Sequence, residues 1–161
     1  MMQSDRAQPV LGVTRWKSVD RNSGLMSVTN SSLEFSLQRL RQLRQILLRL
    51  HKALLDSERE VYEQVYGRIP SSGEFFRLVV GHEWFNWLRP ISQLIVQIDQ
   101  ALAAKEPMSM TQVEALLEEI RQLLQPSNQG TDLKQRYYHA IQRDPDIALM
   151  HAEMSDLLDL K

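Results

Sequence analysis

Leu33, Leu37, Leu40, Leu43, Leu47, Leu50 and Leu54 recur at spacings of three and four, and Val61 and Val65 extend the same register. A period of 3.6 residues places all of them on one side of an α-helix, whereas a strand would send alternate residues to opposite faces. The stripe therefore demands one helix of about nine turns, far longer than the usual three or four. Ser31 or Ser32 can cap its first turn, Glu34 complements the positive helix end, and Gly67 is a natural stop. Such a helix cannot bury its stripe alone, so the rest of the chain must supply partners for it.

Those partners are legible downstream. RIPSSGEFF is a connection, with Pro70 and Gly73 as breakers and Ser71 or Ser72 as the next cap. Phe75, Phe76, Val79, Val80, Trp84, Trp87, Leu88, Ile91, Leu94, Ile95, Ile98 and Leu102 then mark a second helix, which Pro90 is expected to kink. Ser109 or Thr111 starts a third helix bearing Val113, Leu116, Leu117, Ile120, Leu123 and Leu124 and ending at Pro126. Thr131 or Asp132 caps a fourth, DLKQRYYHAIQRD, and a last amphipathic helix carries Ile147, Met150, Met154, Leu157 and Leu158. Long helices with short connections pack as antiparallel neighbours. The expected fold is all-α: an up-down antiparallel four-helix bundle over residues 32–143, its second helix kinked. A flexible arm over residues 1–31 would precede it, and a short C-terminal amphipathic helix over residues 144–161 would lie against it or project from it.

The arm is polar, broken by Pro9 and Gly24, and has Trp16 between Arg15 and Lys17 as its one anchor; Met26 offers an alternative start within it. The N-terminus lacks the apolar run of a secretory signal, and no segment reaches the roughly 18 apolar residues of a membrane span. The 161 residues include no cysteine, which excludes thiolate chemistry and suits a reducing compartment, so the expected location is cytoplasmic. Net charge is −1 but uneven: residues 1–52 hold nine Lys/Arg against three Asp/Glu, and the remainder ten against seventeen. Oppositely charged helices attracting each other within one fold would explain this, as would an electrostatic binding surface.

Candidates for chemistry are sparse. There is no GxSxG, no phosphate-binding glycine loop and no HExxH, since Asn86 stands where HEWFNW would need its second histidine. Four histidines invite a metal reading. His51 with Asp56, and His151 with Asp156, resemble one fragment of the hemerythrin ligand set, but that family's other histidine pairs are missing. The metal candidates are His51, Glu58, His82, Glu83 and His139; no organic cofactor is expected. Glu58 falls close to the leucine stripe, and a buried carboxylate needs a partner. Arg89 is the expected one, in a structural ion pair that sets helix register, with a ligand pocket as the alternative.

The contact candidates are of two kinds. Trp84, Trp87 and Arg89 cluster at the expected bend, and Trp and Arg dominate many binding interfaces. Arg41, Arg49 and Lys52 share a face of the first helix opposite the leucines, which could meet the phosphates of a nucleic acid, an anionic membrane surface or an acidic protein. Over residues 47–124, the elements HKALLDSERE and WFNWLRPIS resemble a family of small bacterial helical proteins without an established activity. That resemblance implies an all-α bacterial cytoplasmic protein and assigns no catalytic residues. The expected function is non-enzymatic: protein–protein contacts, as a regulatory or stress-related adaptor, with homo-oligomerisation open. The alternative is a bundle that binds a small ligand or a metal.

Overall fold

The leucine stripe does form one helix, and it is the longest element of the computed structural model, which describes residues 21–160. α1 spans Arg21–Tyr66, 46 residues and roughly 70 Å of rise. Leu40, Leu43, Leu47, Leu50 and Leu54 are all fully buried. Toward its C-terminus the stripe loses its cover, and Val65 is 60% exposed. Gly67 ends α1 in the left-handed region, φ 90°, where its N–H bonds the Glu63 carbonyl.

The expected start at Ser31 or Ser32 is too late, because α1 already covers residues 21–31. Both serines turn their hydroxyls back onto their own helix instead of capping it, Ser31 to the Ser27 carbonyl at 2.9 Å and Ser32 to the Val28 carbonyl at 3.1 Å. Trp16 and the rest of residues 1–20 lie outside the described residues.

The second helix is not one kinked rod. α2 (Ser72–Gly81) stops where His82 turns extended, a 3-10 helix follows over Glu83–Leu88, and α3 (Arg89–Ala103) starts anew. Pro90 sits in the first turn of α3, where its missing N–H would have had no helical partner. The break belongs to His82, whose ring nitrogen Nδ1 accepts the Trp84 N–H at 3.1 Å and so caps the 3-10 turn. Ser71 caps α2 through the Glu74 N–H.

α4 (Met110–Leu123) opens with a reciprocal Ser109–Gln112 capping box, and Thr131 caps α5 (Asp132–Arg143). Asp144 accepts from both Asp146 and Ile147 N–H groups to start α6 (Pro145–Asp159). All secondary structure among the described residues is helical, so the chain is all-α. Among those residues no helix is long and apolar enough to cross a membrane.

One core joins these elements. α1 packs on α6, α4, α3 and the 3-10 helix, and α5 packs on α6 and the 3-10 helix. Phe85, Trp87, Leu88, Ile91, Leu94 and Ile98 meet Val113, Leu117, Ile120, Tyr137, Ile147 and Met154 around the α1 leucines. Polar ties mark the mutual register: Arg44 pairs with Asp99, Arg49 with Glu153 at 2.9 Å, and Gln97 with Glu119 at 3.1 Å. Arg39 and Arg121 donate to the Leu160 and Leu158 carbonyls at the end of α6. α2 is the exception, since it packs against the 3-10 helix and has no fully buried residue.

Candidate functional site

Glu58 is 5% exposed on the inner side of α1, so its carboxylate must find partners within the protein. It has three. The Trp87 indole N–H donates to Oε2 at 3.1 Å, Arg136 donates to the same oxygen at 3.2 Å, and Arg143 lies 3.5 Å from Oε1. The expected Glu58–Arg89 pair is therefore replaced by a pair of arginines from α5. Arg89 serves elsewhere, donating to the Val80 carbonyl at 3.2 Å and to Asn86 Oδ1 at 3.1 Å, so it ties the last turn of α2 to the 3-10 helix.

Each α5 arginine is held from several sides. Arg136 lies over the Trp84 ring at 5.2 Å and donates to the Trp84 carbonyl at 3.0 Å and to Asp132 at 3.2 Å. Arg143 directs two nitrogens at the buried Ser57 hydroxyl, at 3.2 and 2.8 Å. The signal that could have found them is their seven-residue spacing on α5, which puts both on the face bearing buried Leu133, Tyr137 and Ala140. Glu58, Val61, Trp84, Arg136, His139 and Arg143 line an open cleft of about 300 Å³.

Beside this cluster stands an aromatic wall. Tyr62 and Tyr66 each meet the Trp84 ring edge-on at 5.8 Å, and Phe75 meets Phe85 at 5.8 Å beneath the Arg59 guanidinium. The Ile69 N–H and Arg59 both donate to Glu63 and hold its carboxyl below the usual range. This fixes the turn from α1 into α2.

The metal candidates are not brought together. His51 borders a separate apolar groove with Val79, Phe85 and Leu88, His82 stands against Tyr62 and Tyr66, and Glu58 and His139 line the arginine cleft. Glu83 is exposed at the start of the 3-10 helix. Among the described residues no three His, Asp or Glu side chains are grouped to hold a metal ion. Burial pushes the His51 ring below the ordinary histidine value.

The contact candidates divide. Trp87 is 4% exposed and locks the core through Glu58, so it is not open to a partner; Trp84 is half-buried and Arg89 exposed. The basic face of α1 is internally answered, with Arg41 on Glu34 at 3.2 Å, Arg49 on Glu153 at 2.9 Å and Lys52 on Asp56 at 2.7 Å. Exposed large apolar side chains occur on α1, among them Met26, Val28, Val65 and Tyr66, and on α2, where Phe76 is 68% and Val80 57% exposed. The latter two lie four residues apart on one face, which sequence periodicity alone assigns to the core.

Comparison with known proteins adds no relative: no family model, no curated protein and no solved structure matches the chain. The resemblance carried by HKALLDSERE and WFNWLRPIS gains no support from these comparisons.

Proposed function

We propose that this chain is a non-enzymatic helical-bundle adaptor that works by protein contact, and that α2 is the element it presents. In this reading α1, α3, α4 and α6 form an up-down bundle, with α5 as a crossing helix. Paired ties support alternating directions: along α1, Arg39 meets Leu160 and Arg49 meets Glu153, while Arg44 meets Asp99 and Glu58 meets Trp87 just before α3, so α6 and α3 run opposite to α1 in this reading. The compartment this reading takes is the cytoplasm, in keeping with a cysteine-free sequence.

One observation carries the proposal: α2 buries none of its residues fully, yet holds Phe76 and Val80 out to solvent. Ordered, exposed large apolar side chains on one helix face are the usual anchor of helix-mediated contacts. Arg89 fastens α2 to the 3-10 helix through the Val80 carbonyl and Asn86, so the face is presented on a secured support. The test is a photo-crosslinking residue placed at Phe76 or Val80 in the full chain inside cells. Discrete protein adducts from these positions, absent when the same group replaces the exposed Gln122 of α4, are expected. Equal crosslinking from all three positions would overturn the proposal.

A further inference from the structure

The two arginines that neutralise Glu58 exceed what one carboxylate requires. The cleft lined by Glu58, Val61, Trp84, Arg136, His139 and Arg143 holds two guanidiniums against one carboxylate. Asp132 also bonds Arg136, but its side chain is 70% exposed and is not part of the cleft lining. With Asp132 counted, the two guanidiniums are matched in charge by two carboxylates, so what the opening offers an anion is unspent N–H donors held beside a buried group that cannot leave.

Donors are left over as well. Arg136 spends Nε on Asp132 and Nη1 on Glu58 and the Trp84 carbonyl. Arg143 spends Nε and Nη2 on Ser57, and Nη2 also faces Glu58. Among the described residues, Nη2 of Arg136, Nη1 of Arg143 and the His139 ring nitrogens have no hydrogen-bond partner. A guanidinium offers five N–H groups in a fixed fork, and paired oxygens of a carboxylate or a phosphate match that fork. Because Glu58, Ser57 and the Trp84 ring already hold both arginines, an incoming anion need not order them.

We propose that this cleft binds the single carboxylate or phosphate group of a small molecule, held by Arg136 and Arg143 with His139 at the rim. Glu58 aims the two guanidiniums, and the open cleft of about 300 Å³ has room for a small molecule. This site is separate from the α2 face and does not depend on it.

Titration of the full chain with inorganic phosphate and with acetate, at constant ionic strength set with chloride, tests the site. The readouts are calorimetry and tryptophan fluorescence. Saturable one-to-one binding of at least one probe is expected, and the tighter probe identifies the oxyanion class. Arg143→Gln should weaken that binding about ten-fold or more, through loss of a charge-assisted donor. His139→Ala provides the same test at an exposed side chain without a hydrogen-bond partner, with about a three-fold loss expected. Neither probe exceeding chloride, or both variants binding as tightly as the parent, would overturn the proposal.

Discussion

Removing Arg136 should destabilise the protein far more than removing Arg89, although the latter is the arginine that sequence reasoning pairs with Glu58. Arg136→Ala strips Glu58, whose side chain is 6% exposed, of its closer cationic partner and leaves Arg143 at 3.5 Å. Breaking a fully buried pair costs about 3–5 kcal/mol. Here the Arg136 side chain is 32% exposed and a second arginine remains, which together reduce the effect. Loss of the stacking on Trp84 and of the bond to its carbonyl adds to it. The expected destabilisation is about 2–3 kcal/mol. Arg89→Ala removes exposed bonds to Val80 and Asn86 and should cost about 0.5–1 kcal/mol. Urea denaturation followed by far-ultraviolet circular dichroism, with both variants compared at equal m-value, measures the difference. Equal losses, or a loss below about 1 kcal/mol for Arg136→Ala, would refute the assignment of Glu58's partner.

Pro90→Ala should leave helix content unchanged and shift stability by no more than about 1 kcal/mol, because the chain breaks at His82 and not at the proline; a rise in circular-dichroism helicity would place the break at Pro90. Burial holds the His51 and His151 rings below the ordinary histidine value, and the Tyr137 hydroxyl lies 2.9 Å from His151 Nδ1. A lowered folded-state value means that the neutral rings stabilise the fold above about pH 6.5, and that this contribution is lost as pH falls through the folded-state values. Urea midpoints should therefore drop between pH 7 and pH 5, with a shallower drop in His51→Gln/His151→Gln.

The leucine register was enough to identify α1 as one helix and its buried middle from Leu40 to Leu54, because a 3.6-residue period over so many turns has one solution, but it did not give the start at Arg21. Short-range capping was legible to within two candidates at each start, and Ser71, Ser109 and Thr131 are the ones whose bond closes within three residues. Ser31 and Ser32 misled for a related reason, since a serine that can cap can also bond back to a carbonyl four residues earlier. Pro90 misled because proline reads alike at a kink and at a helix start; only the extended backbone at His82 decides between them.

Glu58 was legible as a buried carboxylate in need of a partner, because its position relative to the leucines follows from helix geometry alone. Which arginine answers it was not, since that depends on where packing on the 3-10 helix and α6 sets α5, and Arg136 lies 78 residues away in the chain. The same distinction separates Trp87 from Phe76. Both fit an apolar helical stripe, yet the packing of the 3-10 helix buries Trp87 against Glu58, while among the described residues Phe76 on α2 stays 68% exposed. Local chemistry along the chain therefore determined which segments are helices and which faces are apolar. Tertiary structure decided which charges meet and which apolar face stays uncovered, because both depend on distances between segments that no local period encodes.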